Sequence, residues 1–256
     1  MPRARSVSRD RHNRRVTAPD TELASSIRGA LADAADPAKA GPMQAYMKSE
    51  MPYRGIPSPE LKAVLRPLLV NHPLDEETWQ ATVLALWDGA AFREERYAAL
   101  ALARHRLHRE HRQVQTLGLY EHLVRTGAWW DVVDETSTHL VREVLLAHPA
   151  EATPVIQEWA VSDDLWVRRS AIICQVGAGD ALDQALLAEA IEANLDGSTR
   201  TTPAVSPYGR EFFIRKAIGW ALRDHARVDP DWVRSFVGRR EDELSGLSRR
   251  EALKHL

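Results

Sequence analysis

The sequence predicts an all-α protein, and three observations carry that prediction. From Thr21 onward almost every segment repeats apolar residues at i, i+3 and i+4, the spacing that lays one apolar stripe along a helix. Alternating apolar and polar runs of useful strand length are absent. Proline or glycine falls at the breaks between segments: Asp36-Pro37, His72-Pro73, Gly89, Gly127, His148-Pro149, Gly177 and Asp229-Pro230.

Taken in order, the first helices are "TELASSIRGALADAAD" from Thr21, "SPELKAVLRPLLVNH" from Ser58, "DEETWQATVLALWDG" from Asp75, "REERYAALALARHRL" from Arg93 and "HRQVQTLGLYEHLVRTG" from His111. Ser, Thr or Asp stands at their starts with Glu following, as in "SPE" and "LDEE", which satisfies the free N–H groups of a first turn. Further on, "DDLWVRRSAIICQVG" from Asp163 offers Asp163 or Asp164 as N-cap, packs Trp166 and Ile172, and turns Arg168 or Arg169 away from the core. "REFFIRKAIGWALRDHA" from Arg210 sets Phe213, Ala217 and Trp220 near one side, with Arg223 three residues beyond Trp220. In all, about a dozen helices of ordinary length are expected.

An internal echo organises them. Arg96-Tyr97-Ala98-Ala99, Arg169-Ser170-Ala171-Ile172 and Arg215-Lys216-Ala217-Ile218 share an Arg-x-Ala-apolar opening, offset by 73 and 46 residues. The second offset lies near the repeat length of HEAT-type helical pairs, and the first is close to twice a slightly shorter one. The expected architecture is therefore a curved α-solenoid, a superhelix of degenerate HEAT-like repeats with a concave binding surface.

Composition narrows the function classes. A chain of 256 residues buries a sizeable core, and its formal charge of -2 argues neither for nor against a polyanion. The single cysteine, Cys174, sits in an apolar run; a disulfide framework and a cysteine zinc site are excluded, and a reducing cytosol fits. No segment approaches the roughly 20 apolar residues of a membrane span. "MPRARSVSRDRHNRRVTAPD" has no apolar stretch behind its charges, so it reads as a basic disordered arm over 1–20, inert or touching DNA, ahead of one domain over 21–256.

Charge is uneven along that domain. Residues 181–196 hold acids and no bases, whereas 200–227 hold Arg200, Arg210, Arg215, Lys216, Arg223 and Arg227 against Glu211 and Asp224. A basic strip of this kind suits a phosphate backbone, and it equally suits an ordinary solvated face. His105, His108 and His111 come near one helix face, but their acidic surroundings are thin, so surface histidines rather than a metal site are expected. No phosphate-cradling glycine loop, nucleophilic serine motif or cofactor fingerprint is present.

"GAWWDVVDETSTHLVREVL", from Gly127, is the segment that ordinary packing explains least. Trp129, Val132, Val133, Thr136 and Leu140 trace an apolar face, which leaves Trp130 and Asp134 together on a second face one turn apart. The same spacing suits a half-buried Trp130 beside an Asp134 that caps or salt-bridges.

Together with this segment, "MQAYMKSEMPYRGI", "DDLWVRRSAIICQ", "EFFIRKAIGWALRDHARVDPDWVRSFV" and "LSRREALKHL" resemble, in order over about residues 22 to 256, the DNA alkylation repair family of HEAT-like DNA glycosylases, the AlkD type. The resemblance implies a superhelix that holds duplex DNA in its concave face and hydrolyses the N-glycosidic bond of cationic N3- and N7-alkylated purines. It places the active-site aromatic and carboxylate at Trp130 and Asp134, the cleft arginine at Arg169, a second cleft tryptophan at Trp220, a lining aromatic at Tyr46 and a backbone-contacting arginine at Arg223. Arg215 and Lys216 of the basic strip join these as DNA contacts. The basic arm and a long 196–209 segment depart from the pattern. Expected partners are alkylated double-stranded DNA and no membrane; a monomer in the nucleoid-bearing cytoplasm, without metal or cofactor, completes the expectation.

The chemistry explains the residue types. An alkylated N3 or N7 is already a cationic leaving group, so the cost lies in positive charge growing on the deoxyribose. A carboxylate about 4 Å away at an effective dielectric near 20 offers roughly 4 kcal/mol, on the order of a thousandfold in rate. The face of a tryptophan adds about 0.5–2 kcal/mol. The resemblance implies that the lesion can stay in or near the stack, unlike a flipped base. Two other readings suit the helical pattern: a repeat scaffold for protein partners, and a damaged-DNA binder that cuts nothing.

Overall fold

A computed structural model of the protein describes residues 17–199 and 201–256. Residues 1–16 of the expected arm, and Arg200 of the basic strip, lie outside the described residues. Every regular element among those described is helical. The α-helices are α1 (Thr21–Asp33), α2 (Pro37–Met47), α3 (Ser58–Leu69), α4 (Glu76–Asp88), α5 (Arg93–Arg104), α6 (Leu117–Gly127), α7 (Trp130–Glu135), α8 (Arg142–Ala147), α9 (Pro149–Ala160), α10 (Leu165–Ile173), α11 (Gln184–Glu192), α12 (Phe212–His225), α13 (Pro230–Arg239) and α14 (Gly246–Ala252).

Local chemistry sets these boundaries. Asp20, Asp36, Asp75, Asp164, Asp183, Asp229 and Ser245 each cap the helix that follows by accepting backbone N–H bonds, each worth about 1 kcal/mol. Pro37, Pro149 and Pro230 open α2, α9 and α13, where the missing N–H costs nothing. Of the two candidate caps before α10, Asp164 is the one used.

Packing runs between near neighbours along the chain: α1 on α3, α4 on α5, α9 on α10 and α11, α10 on α12, and α12 on α13 and α14. Serial contact of this kind is what a stack of helical pairs requires. One apolar core continues from Leu23 to Ala252, with Trp79, Trp87 and Tyr120 among its fully buried members.

Two features correct the sequence expectation. The histidine segment forms a 3₁₀ turn, Arg106–His111, rather than an α-helix. His108 is fully buried, stacks on Trp79 and accepts the Leu74 N–H at 3.2 Å, so it is a core residue and not a surface one. The second correction concerns Arg168 and Arg169: both are buried. Arg168 donates to the carbonyls of Ala160 and Val161 and to Asn194.

Candidate active site

The chain enters the site through a tight turn. A Cβ added at Gly127 would lie 2.7 Å from Val132 Cγ2 and 3.0 Å from Trp87 Cζ2, so a larger residue there would force these buried side chains to shift. Ala128 follows with φ 43°, in the left-handed region, at a cost of about 1–2 kcal/mol for a residue with a Cβ. The turn sends successive tryptophans to opposite sides. Trp129 joins Trp166 and Phe213, with ring centroids 4.8–5.9 Å apart. Trp130 remains 36% exposed, while Val132, Val133, Thr136 and Leu140 are buried as their spacing predicts.

Beyond α7 the helix widens into a π-turn over Thr136–Val141. The hydroxyls of Thr136, Ser137 and Thr138 donate back to the carbonyls of Val132, Val133 and Asp134 at 2.7, 2.6 and 2.8 Å. Three neighbouring hydroxyls thus supply partners where a widened turn lengthens the regular backbone bonds. Such turns are frequent at functional sites.

Asp134 faces Arg169 in a two-pronged ion pair, Nε to Oδ1 and Nη2 to Oδ2, each 2.8 Å. The third guanidinium edge donates from Nη1 to the Phe213 carbonyl at 2.6 Å, so α7, α10 and α12 meet at one arginine. Side-chain exposure is 18% at Asp134 and 6% at Arg169. Burial pushes the Asp134 carboxyl above the ordinary aspartate value, with Arg169 pulling against the shift and Asp131 adding to it. The salt-bridging role that the spacing allowed for Asp134 is therefore realised beside an exposed tryptophan.

A second carboxylate, absent from the sequence-based site, lies on the same short helix. Asp131 takes the Arg93 guanidinium on both oxygens, with Nε to Oδ2 at 3.2 Å. It also accepts from the Tyr97 hydroxyl at 2.5 Å, and that hydroxyl meets Tyr53 Oη at 2.8 Å. Burial, then the Asp131 charge, drives the Tyr97 phenol well above its usual range. The available signal was Arg93 and Tyr97 at i, i+4 on α5. Their reach to Asp131 is a tertiary fact.

Trp130, Asp131 and Glu135 form one wall of a cleft of about 890 Å³, with Tyr46 of α2 on its rim and Ile56, Leu61, Leu65, Leu69 and Leu100 among its apolar lining. Tyr46 is 80% exposed. The loop that joins α2 to α3 is anchored by buried Glu94, which accepts the N–H groups of Arg54, Gly55 and Ile56 at 2.9, 2.9 and 3.2 Å. Gly55 at φ +85° passes so near Asp36 that a Cβ would sit 2.1 Å from its carbonyl oxygen. Asp134 and Arg169 lie outside the cleft lining.

The α12 residues divide. Trp220 is half-buried against the core and does not line the cleft. Lys216 and Arg223 both pair with Glu251 of α14, the lysine at 3.1 Å. Arg215 instead lines a separate small pocket with Leu195, Gly209 and Leu244. In the 196–209 segment, Tyr208 donates to the Asp163 carbonyl and its ring lies against Arg168, tying the segment to α10. Among the described residues no cluster of three metal-ligating side chains occurs, and no helix is long and apolar enough to cross a membrane.

A family model described as DNA alkylation repair enzyme matches residues 27–256. A solved structure described as a predicted DNA alkylation repair enzyme from Enterococcus faecalis shares 31% identity with the chain. It aligns over 87% of this chain and 96% of its own with a TM-score of 0.74. No curated protein matches.

Proposed function

The chain belongs to the DNA alkylation repair enzyme family, and on that premise we propose that it is a glycosylase that hydrolyses the N-glycosidic bond of cationic N3- and N7-alkylated purines in duplex DNA. The observation that carries the proposal is the Asp134 carboxylate, held by Arg169 one turn from the exposed face of Trp130. An anion and a π-face on one side of a helix both respond to a cation.

In this reading the C1′–N bond breaks and its electron pair neutralises the purinium, which leaves as a neutral base. Positive charge passes to the sugar, where Asp134 stabilises it. Water then adds to C1′ and gives up a proton, leaving an abasic site for the later steps of base excision repair. Arg169 is the positioning residue, because its fork fixes both carboxylate oxygens and its third edge fixes the start of α12. Trp130 and Tyr46 border the cleft from two helices and would support the lesion strand. Trp220, Arg215, Lys216 and Arg223 are proposed DNA contacts further along. The lesion stays in or near the stack. The enzyme acts as a monomer, with no cofactor, in the nucleoid-bearing cytoplasm.

One observation favours a damaged-DNA binder without chemistry: Arg169 occupies both Asp134 oxygens. Base release from a duplex carrying a single N7-methylguanine decides between them. Release above the spontaneous rate establishes the glycosylase; tight binding with no release from this duplex, from an N3-methyladenine duplex or from one with a bulkier N7 adduct establishes the binder.

A further inference from the structure

The cations around the cleft fall into two sets. Arg93 is taken by Asp131 and Arg104 by Glu135; away from the cleft, Arg169 is taken by Asp134, and Lys216 and Arg223 by Glu251. Lys62, Arg66 and Arg106 also line the cleft, are exposed, and form no ion pair among the described residues. Lys62 and Arg66 stand one turn apart on α3, about 6 Å along its axis.

We infer that Lys62, Arg66 and Arg106 form a phosphate-binding rim that takes the sugar-phosphate backbone of duplex DNA beside Trp130. The inference rests on the DNA reading above and moves the main electrostatic grip from α12 to the N-terminal repeats. The acids on the cleft wall are already neutralised, since Asp131 and Glu135 each hold an arginine. The three unpaired cations therefore set the sign of the cleft. An apolar floor of Leu61, Leu65 and Leu69 keeps the local dielectric low, and a concave surface of one sign concentrates the field that attracts a polyanion.

Helix α2 supplies a second argument. None of its residues is buried, although the loop that follows it is anchored through Glu94 and Tyr46 lines the cleft. Met43, Tyr46 and Met47 of this helix line the cleft without being buried by it. A backbone lying between Tyr46 and the α3 cations provides that cover, with the sugar against the ring and phosphate oxygens toward Lys62 and Arg66.

Each phosphate neutralised contributes about 0.9 to the slope of log affinity against log salt. Affinity for a duplex is therefore measured between 50 and 200 mM salt, in wild type and in Lys62→Ala/Arg66→Ala/Arg106→Ala. The expected result is weaker binding with a slope shallower by about 2.7, and an unchanged melting temperature because all three side chains are exposed. The charge-preserving set Lys62→Arg/Arg66→Lys/Arg106→Lys keeps the wild-type slope. Hydrogen exchange in α2 slows when DNA binds wild type and does not in the alanine variant. A folded alanine variant with the wild-type slope overturns the rim while leaving the DNA reading intact. A wild-type protein without affinity for duplex DNA removes both.

Discussion

Replacing Asp134 by Asn tests the chemistry and the architecture together. The change removes one negative charge and keeps the side-chain shape. A unit charge about 4 Å from the developing cation contributes roughly 4 kcal/mol at an effective dielectric near 20. Arg169 forks on both oxygens of Asp134, so the sugar meets an ion pair rather than a bare anion, and that figure is an upper bound. Excision is expected to fall by about a hundredfold to a thousandfold, roughly 3–4 kcal/mol. The substitution also strands a guanidinium that is 6% exposed. Removing one partner of a buried pair costs on the order of 3–5 kcal/mol, which lowers the melting temperature by about 10 °C in a chain of this size. The assay is single-turnover release of N7-methylguanine well below both melting temperatures, with duplex affinity measured in parallel. A folded Asn variant that binds DNA and keeps more than a tenth of wild-type release refutes the electrostatic role of Asp134.

The other predictions follow from partners seen in the structure. In Arg169→Gln the guanidinium that opposes the upward shift of Asp134 is gone, so the carboxyl titrates at higher pH. On the proposed mechanism excision needs the anion, and its loss on acidification should begin at a higher pH than in wild type; a pH–rate profile with an unmoved acid limb contradicts this. Glu251→Gln frees Lys216 and Arg223, and the salt dependence of duplex binding should steepen by up to about 1.8; an unchanged slope means that neither residue reaches a phosphate. Burial holds the His108 imidazole down at about 4. Its neutral form is favoured in the folded state, so its contribution is complete above the unfolded value near 6.5 and is lost as pH falls from there to about 4. Urea unfolding across that window should lose about 3 kcal/mol, and much less in His108→Gln; equal losses in the two proteins assign the effect elsewhere.

Sequence and structure agree where the determining physics is local. Asp20, Asp75, Asp164 and Asp229 cap helices through their own backbone neighbours, and a residue that acts two or three positions away is visible in a string. The i, i+4 spacing places Trp130 and Asp134 one turn apart on α7, but it does not encode that Trp130 lines the cleft while Asp134 pairs with Arg169 outside it. Arg169 was different: the adjacent Arg168 and Arg169 left the choice open, and resemblance to the family supplied the assignment. Arg168 is as buried as its neighbour because carbonyls at the end of α9 collect its donors, a fate that no helical spacing encodes. Asp131 was missed because Arg93 and Tyr97 stand 38 and 34 residues before it. Likewise, Arg223 looks free in sequence, and its partner Glu251 arrives from 28 residues further on.

The π-turn after α7 makes the orientation of the Trp130 and Asp134 face a matter of phase. A π-turn holds one more residue than a regular α-turn, and each helical residue advances the face by about 100°. Through Thr136–Val141 the face that carries Trp130 and Asp134 is therefore out of step with the face by which α8 packs. Deleting one of the three hydroxyl residues would leave a more regular helix and a satisfied backbone. It would also swing the tryptophan and the carboxylate by about a quarter of a turn, away from Arg169. The extra residue works as a rotational offset between the half of this helical segment that packs as α8 and the half that carries Trp130 and Asp134.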